Sequence, residues 1–287
     1  MQILDRNMKR GDPKLSQSPK LRYLETLDDK ELDVYRHLNR TNRTRNDDFF
    51  IGEGRLVVQR MLESKFEMTS VVLNDPADQQ LLSLVPGHCQ VFCMPKKLST
   101  QLVGFEFHSG TLACAKRRPM QELVPIESIL RRQVVTVVIC PDTVLPDNLG
   151  SIMRLCAGFG VDALIVGPGS ADPYSRRAMR VSMGNALQLN IVEPTSTVKV
   201  LQQLHDHYGF QLVAATGRSS AETLPMPRPS DRLALIVGNE ATGIEPDVLK
   251  LCQRQVSIPM SGATDSLNVA TATAVLLYEF TRRGSAE

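Results

Sequence analysis

Polar residues that could bind and orient a ligand follow three apolar segments in the second half of the chain. The segments are VVTVVIC (134–140), LALIVG (233–238) and QVSIPM (255–260). The polar residues are Asn148 and Arg154 after the first segment, Glu240 after the second, and Ser266 and Asn268 after the third. Ligands of open parallel sheets bind beyond the carboxyl ends of the strands, so these loops predict one shared site.

A local structural role could also explain several of these residues. Asp147 or Asn148 could cap a following helix, and Ser266 could cap the last one. Glu240 could simply belong to a turn that leads into a helix beginning with Pro246. Arg154 is different, because an arginine within a largely apolar helix needs a partner or a phosphate.

The elements that position these residues are predicted from near-continuous apolar runs. Such runs are typical of strands buried on both faces by crossover helices. Predicted strands cover 134–140, 163–167, 188–192, 211–216, 233–238 and 255–260; predicted helices cover 148–159, 173–184, 197–208, 245–253 and 266–282. Residues 134–287 are therefore predicted to form a doubly wound α/β domain with a parallel sheet.

The first half of the chain predicts a smaller unit. Residues 1–45 form a basic N-terminal extension, in which helix-like apolar positions begin near Lys20. Strand and helix patterns alternate over 46–117, which predicts a small α/β domain. Residues 118–133 have the charge and proline content of a linker. The basic segments at 36–45 and 116–118 suit a surface that contacts RNA phosphates, although a solvated charged face would look similar.

Composition excludes several functional classes. No apolar run approaches the length of a membrane span, and the N-terminus lacks the apolar region of a secretory signal. The six cysteines show no metal-binding spacing, so we predict reduced thiols, a cytoplasmic location and no metal. GPGSAD (167–172) begins like a dinucleotide-binding loop but has Asp172 in place of the third glycine, which disfavours an oxidoreductase. The histidines in LQQLHDHYGF (201–210) are predicted to be solvated.

The three loops together resemble the motifs of the SpoU/TrmH family of RNA ribose 2′-O-methyltransferases, within the SPOUT superfamily. NLGSIMR with a following FG (148–160) is similar to its first motif, and GNEATG (238–243) to its second. IPMSGATDSLNVA (258–270) is similar to the third without a gap, and RVSMGNAL (180–187) to the R-x-S-x-G-A-L stretch, with Asn185 inserted. FFIGEGRLV (49–57) is similar to the start of the family's small substrate-binding domain, whereas GFEFHSGTLA (104–113) departs from it.

This resemblance implies a fold, a cofactor and partners. It implies a C-terminal trefoil knot, S-adenosylmethionine bound within it, an RNA substrate (tRNA or rRNA), and a homodimer formed through the catalytic domains. The implied cofactor-binding residues are Thr216, Gly238, Ile258, Met260 and Leu267. The implied catalytic residues are Asn148, Arg154, Glu240, Ser266 and Asn268.

Methyl transfer to a ribose hydroxyl requires the hydroxyl to be held near the methyl carbon and its proton to be removed. Arginine is protonated in proteins, so we expect Arg154 to bind the adjacent phosphate and stabilise the developing alkoxide. Asn268 and Ser266 are expected to orient the reacting groups, and the general base is left open. An RNA-binding protein of the same fold without catalysis is the alternative, and the presence of all the motif residues argues against it.

Overall fold

The structure, a computed structural model, describes residues 19–38, 47–74, 78–117, 122–217, 220–261 and 266–281. The basic residues Arg40, Arg43 and Arg45 lie outside the described residues, as do Arg118 and the segment 262–265. The described part of the chain forms two α/β units, each built on one sheet.

The small domain contains a five-stranded mixed sheet in the order β1-β4-β3-β5-β2. Strands β1, β4 and β3 are parallel, and β5 runs antiparallel to both β3 and β2. The strands are β1 (Lys20–Tyr23), β2 (Phe49–Glu53), β3 (Met68–Leu73), β4 (Gln90–Cys93) and β5 (Thr111–Lys116). The helices are α1 (Arg55–Glu63), α2 (Gln79–Leu82) and α3 (Lys96–Val103).

The segment expected to be a basic extension contributes to this small domain. Its first residues form β1 instead of a helix, and Lys30–Tyr35 form a 3₁₀ helix. Leu32 and Tyr35 are fully buried, and the Tyr35 hydroxyl donates to the Ser70 carbonyl oxygen at 3.0 Å. The small domain therefore begins well before the predicted boundary at residue 46, because these apolar side chains complete its core.

The second domain is built on a seven-stranded parallel sheet in the order β10-β12-β9-β11-β6-β7-β8. Its strands are β6 (Val135–Cys140), β7 (Ala163–Val166), β8 (Ile191–Val192), β9 (Gln211–Ala215), β10 (Glu222–Thr223), β11 (Arg232–Ile236) and β12 (Arg254–Ser257). Its helices are α5 (Pro146–Gly158), α6 (Arg176–Val181), α7 (Thr197–Asp206), α8 (Pro246–Leu249) and α9 (Val269–Thr281), preceded by the short α4 (Glu127–Leu130) in the connecting segment.

Helices cover both faces of this sheet, which confirms the predicted doubly wound α/β domain. Val138 on one face packs in a cluster with Ile152 of α5 and Leu277 of α9. Val137 on the opposite face packs with Leu201 of α7. Strand β8 is shorter than the strand predicted over 188–192. Strand β10 was not predicted, because its two residues are exposed and show no apolar pattern in the sequence.

The two domains share one apolar cluster and a buried ionic group. Phe50 of the small domain packs against Tyr174, with 5.2 Å between the ring centroids. Arg117, at the end of β5, donates to Asp172 at 2.8 Å and to both oxygens of Glu193 at 2.9 and 2.7 Å. Its side chain is only 2% exposed, so the predicted RNA contact by the 116–118 cluster is wrong for Arg117.

No helix within the described ranges is long and apolar enough to cross a membrane. All six cysteines are free thiols, as predicted, and only Cys252 is not fully buried.

Candidate active site

The carboxyl ends of four neighbouring strands, β12, β9, β11 and β6, open into one cavity of about 540 Å³. Pockets of this size are typical of small-molecule and cofactor sites. The predicted site residues in its wall are Asn148, Thr216, Gly238, Glu240, Ile258, Met260, Ser266, Leu267 and Asn268. The three loops singled out in the sequence therefore meet, as parallel strand ends must when the strands are neighbours.

A chain of hydrogen bonds joins all three loops. The Asn268 side-chain amide donates to Oδ1 of Asn148 at 2.9 Å. The Asn148 amide in turn donates to Oε1 of Glu240 at 2.7 Å. Each step is of normal hydrogen-bond length, and the last is a charge-assisted bond to a carboxylate.

The cap at the N-terminus of α9 determines which atoms donate and which accept in this series of hydrogen bonds. Oδ1 of Asn268 accepts from the backbone N–H groups of Ala270 and Thr271, at 2.9 and 3.4 Å. Asn268 therefore caps α9, and its amide nitrogen must point away from the helix toward Asn148. The alternative that Ser266 caps this helix is wrong, because α9 begins three residues later, at Val269.

Asn148 is free to join this chain because it does not cap α5. That helix begins at Pro146, and no side chain caps it, because the N-cap residue Leu145 carries no hydrogen-bond acceptor in its side chain. Asp147 instead binds Arg177 at 2.6 Å, and this bond holds the pKa of the Asp147 carboxyl below its usual value. The predicted capping roles of Asp147 and Asn148 are both wrong, and Asn148 is buried at the cavity wall.

Gly150 allows α5 to approach α6 closely. A Cβ at this position would lie 2.7 Å from the Cβ of Val181 and 2.9 Å from the carbonyl oxygen of Ala178. The glycine of the first motif therefore fixes where α5, and with it Asn148, sits relative to the rest of the domain.

Arg154 is not brought to the cavity by this fold. Six residues of α-helix place it about 9 Å along the axis from Asn148 and about 120° around it. Its side chain is exposed, it is absent from the cavity wall, and it makes no hydrogen bond or ion pair with any residue that the structure describes. A free guanidinium on a helix surface can bind an external anion such as a phosphate.

Glu240 lies on a tightly closed loop between β11 and α8. The backbones of Asn239 and Gly243 exchange two hydrogen bonds of 2.8 and 3.0 Å, and Gly243 has φ +73°. A Cβ on Gly238 would lie 2.7 Å from the carbonyl carbon of Gly243, so only glycine permits this closure. The predicted start of the following helix at Pro246 is confirmed.

Glu240 is the one ionisable side chain among the described residues of the cavity wall. Cys140 lies beneath it, where burial raises the pKa of the thiol to about 12 and the Glu240 charge adds to the increase. Cys140 is therefore a neutral thiol at physiological pH and supplies no nucleophile. The rest of the wall is apolar or uncharged, which suits an organic cofactor better than a metal ion. Within the described ranges, no cluster of three or more His, Cys, Asp or Glu could hold a metal.

Sequence reasoning missed part of the wall. Leu145, Ala215 and Gly217 line the cavity, as do Ala272 and Leu276 of α9. They carry no chemical signal in the sequence, since small and apolar residues at these positions are also what a helix or strand end requires. Asn239, within GNEATG, also lines the cavity, and the sequence alone predicts no role for it.

Comparison with known proteins gives a consistent result. Residues 135–278 match the model of the SpoU rRNA methylase family. An uncharacterized tRNA/rRNA methyltransferase of Mycobacterium bovis is 37% identical over 265 residues, which are 90% of each chain. The 23S rRNA (guanosine-2′-O-)-methyltransferase RlmB of Acinetobacter baylyi is 27% identical over 77% of this chain and 92% of its own.

Solved structures share the fold. The AdoMet-bound rRNA methyltransferase from Sinorhizobium meliloti superimposes with a TM-score of 0.77 at 21% identity, over 91% of this chain and 97% of that one. The SpoU methyltransferase AviRb from Streptomyces viridochromogenes gives 0.75 at 23% identity, over 88% and 96%. These matches cover 88–91% of this chain, so the shared fold extends beyond residues 135–278.

Proposed function

The chain belongs to the SpoU rRNA methylase family, and from this membership we propose that it transfers a methyl group from S-adenosylmethionine to a ribose 2′-hydroxyl of structured RNA. The observation that carries the proposal is the hydrogen-bonded chain from Asn268 through Asn148 to Glu240, at the edge of a cofactor-sized cavity. A polar chain that opens onto a mainly uncharged cavity suits one reacting hydroxyl beside one organic cofactor.

The cofactor would occupy the cavity next to the backbone of three loops. Thr216 and Gly238 follow β9 and β11, and Ile258 follows β12; all three line the wall together with Leu267. Met260 completes this side of the cavity. S-Adenosylmethionine supplies a sulfonium-activated methyl group when bound, and a wall without cations avoids repulsion of that positive charge.

Glu240 is the proposed acceptor for the proton of the ribose hydroxyl. One of its carboxylate oxygens already accepts from Asn148, so the carboxylate is held in place and the second oxygen can accept from the substrate. Ser266 and Asn268 lie on the opposite loop, where they can orient the hydroxyl and the ribose. Such positioning supplies much of the rate in a displacement that needs an in-line arrangement.

Arg154 is proposed to bind the phosphate next to the reacting ribose. Its exposed guanidinium has no internal partner among the described residues, which is the arrangement that a phosphate-binding arginine requires. In this role Arg154 would place the backbone of the RNA, and its distance from the cavity argues against the predicted part in stabilising the alkoxide.

The substrate class is tRNA or rRNA. Relatives are named tRNA/rRNA methyltransferase and 23S rRNA 2′-O-methyltransferase, and this range of names supports the class without selecting one RNA. The reduced cysteines are in keeping with action in the cytoplasm.

A homodimer through the catalytic domain is also proposed. Val144 and Leu145 before α5, and Val275 and Tyr278 on α9, are large apolar side chains that are 37–58% exposed. Helices α5 and α9 pack together, so these side chains form part of one surface, and exposed apolar patches mark association sites. Light scattering of the purified protein tests the dimer.

We also propose the trefoil knot of the family for the segment that joins β12 to α9.

The test of the function is a methyl-transfer assay on total RNA. RNA from cells lacking this protein would be incubated with purified protein and labelled S-adenosylmethionine, and 2′-O-methyl positions would be mapped. One site that gains methylation supports the proposal. Binding of S-adenosylmethionine and RNA without any transfer would show an RNA-binding protein of this fold that has lost catalysis.

A further inference from the structure

Hydrogen bonds connect three neighbouring loops close to Glu240, and Asp142 lies in the middle loop. The loops follow β7, β6 and β11, which are adjacent in the sheet. Asp142 follows β6, Gly169 follows β7, and Asn239 follows β11. Neither Asp142 nor Gly169 lines the cavity, so their effect on the site must pass through Asn239.

The Asn239 side chain uses its complete hydrogen-bonding capacity. Its amide nitrogen donates to the carbonyl oxygen and to Oδ2 of Asp142, both at 3.0 Å. Its Oδ1 accepts from the backbone N–H groups of Ala241 and Thr242, at 2.8 and 3.1 Å. An asparagine amide has two donor hydrogens and two acceptor positions, and all four are engaged. No other side chain of this length both donates two and accepts two such bonds.

Asp142 is in turn held from its other side. A Cβ on Gly169 would lie 2.3 Å from Oδ1 of Asp142, so the glycine leaves the space that the carboxylate occupies. The loop of Asp142 is also joined to that of Gly169, because the Thr143 N–H donates to Oγ of Ser170 at 2.8 Å. This accounts for Gly169, the second glycine of GPGSAD, which the dinucleotide pattern left unexplained.

These bonds decide where Glu240 lies. Glu240 is the residue between Asn239 and Ala241. The Asn239 side chain binds Asp142 on one side and the backbone N–H of Ala241 on the other, so both neighbours of Glu240 are held in place. The Glu240 carboxylate meets Asn148 at 2.7 Å, a contact that a loop shift of 1 Å would break.

We propose that Asp142 and Asn239 are positioning residues for methyl transfer, which hold Glu240 in contact with Asn148 through the Asp142–Asn239 pair. The inference rests on the proposed function. It assigns the two residues no contact with the reacting atoms.

The test is a reciprocal exchange of the two side chains. Asn239→Asp places two carboxylates against each other and removes both donated bonds, so kcat should fall about 10- to 100-fold while the KM for RNA stays within about threefold. Asp142→Asn keeps one oxygen acceptor and should stay within about threefold of the wild type. The double variant Asp142→Asn/Asn239→Asp removes the repulsion between the two carboxylates and restores one donor–acceptor pair with reversed polarity, whereas the carbonyl oxygen of residue 142 still faces an oxygen. It should therefore recover part of the lost kcat, about threefold or more.

A second perturbation reaches the pair without changing either residue or Glu240. Gly169→Ala must displace the Asp142 carboxylate, and we expect a fall in kcat in the same direction. This variant decides the matter if Asn239→Asp does not fold.

The outcomes separate the two proposals. Unchanged kcat in Asn239→Asp, or a double variant as slow as Asn239→Asp despite a restored melting temperature, would overturn the positioning role while leaving the function intact. No transfer by the wild-type protein would overturn the function and the positioning role together.

Discussion

The side-chain amide of Asn148 lies 2.7 Å from a carboxylate oxygen of Glu240, although 92 positions separate the two residues in sequence. Asn148 begins one motif and Glu240 belongs to another, so the bond joins two loops that are distant in the chain. Because Asn268 fixes the Asn148 amide from the other side, the carboxylate has one preferred orientation.

Removing only the charge of Glu240 should abolish most of the transfer. In Glu240→Gln the new side-chain oxygen can still accept from Asn148, so the chain of bonds survives without a proton acceptor. We expect a loss of about 10²- to 10⁴-fold in the single-turnover rate, the usual range for a general base. The measurement is transfer from labelled S-adenosylmethionine to RNA, with cofactor affinity determined by calorimetry.

The matched control is Glu245→Gln, because Glu245 precedes α8 and does not line the cavity. Its rate should equal that of the wild type. A Glu240→Gln enzyme that retains the full rate would rule out Glu240 as the proton acceptor.

Asn268 has two roles, helix cap and donor to Asn148, and two variants separate them. Asn268→Ala loses both and should lower the free energy of unfolding by about 1 kcal/mol. Asn268→Asp keeps the cap, because aspartate accepts from the same backbone N–H groups. It cannot donate to Asn148, whose amide should then turn toward the new carboxylate and away from Glu240.

Both variants should therefore lose transfer by about tenfold or more, while thermal unfolding detects a loss of stability only in Asn268→Ala. If Asn268→Asp transfers methyl groups at the wild-type rate, the direction of the hydrogen-bond chain is irrelevant to catalysis.

Arg154 should be dispensable for folding and necessary for handling RNA. Arg154→Ala removes an exposed side chain without an internal partner, so stability should change by less than about 0.5 kcal/mol. Loss of a charge-assisted phosphate contact should weaken RNA-dependent transfer by about 10- to 100-fold. Arg154→Lys keeps the charge but not the planar, bidentate donor, and should recover only part of the activity.

Lys250→Ala is a suitable control, since Lys250 is also exposed and, among the residues that the structure describes, forms its ion pair with Asp247 of α8. If both Arg154 variants lose RNA affinity but keep the turnover rate, Arg154 binds RNA and takes no direct part in the chemistry.

The free energy of unfolding should depend strongly on Arg117, the cation of the ionic group between the domains. Arg117→Met removes the cation that pairs with the buried carboxylates of Asp172 and Glu193, which should cost about 3–5 kcal/mol of unfolding free energy. The exposed pair Arg131–Glu127 provides the contrast: Arg131→Ala should cost less than about 1 kcal/mol.

The pH dependence of the Arg117→Met defect has a defined sign. Burial already raises the pKa of Asp172 above its usual value in the presence of Arg117, and removal of the cation should raise it further. A carboxyl group with a raised pKa in the folded state stabilises the fold below its unfolded pKa, and this contribution is lost as pH rises through the folded value. The stability deficit should therefore shrink as pH falls from 7 toward 4 in chemical denaturation. A deficit that grows on acidification would contradict this account.

The sequence by itself determined the architecture of the larger domain and which three loops meet at the cavity. Apolar runs near 134–140 and 233–238 can only be strands covered on both faces, and parallel strands bring the loops at their carboxyl ends together. The sequence alone thus assigns Asn148, Glu240 and Asn268 to one site. The hydrogen-bonding capacity of each side chain depends only on its residue type, and its approximate position depends on the strand that precedes it.

Only the tertiary structure decided which polar groups meet. The sequence allowed Asn148 and Arg154 to border one pocket, but the helix rotation carries Arg154 to the surface. It left Ser266 as a possible cap of α9, a role that the start of the helix at Val269 assigns to Asn268. The basic stretch around Arg117 resembled a solvated or RNA-binding surface, whereas the packing of two domains buries that side chain against two carboxylates. Hydrogen-bond partners depend on ångström distances between loops far apart in the chain, and neither periodicity nor motif spacing contains those distances.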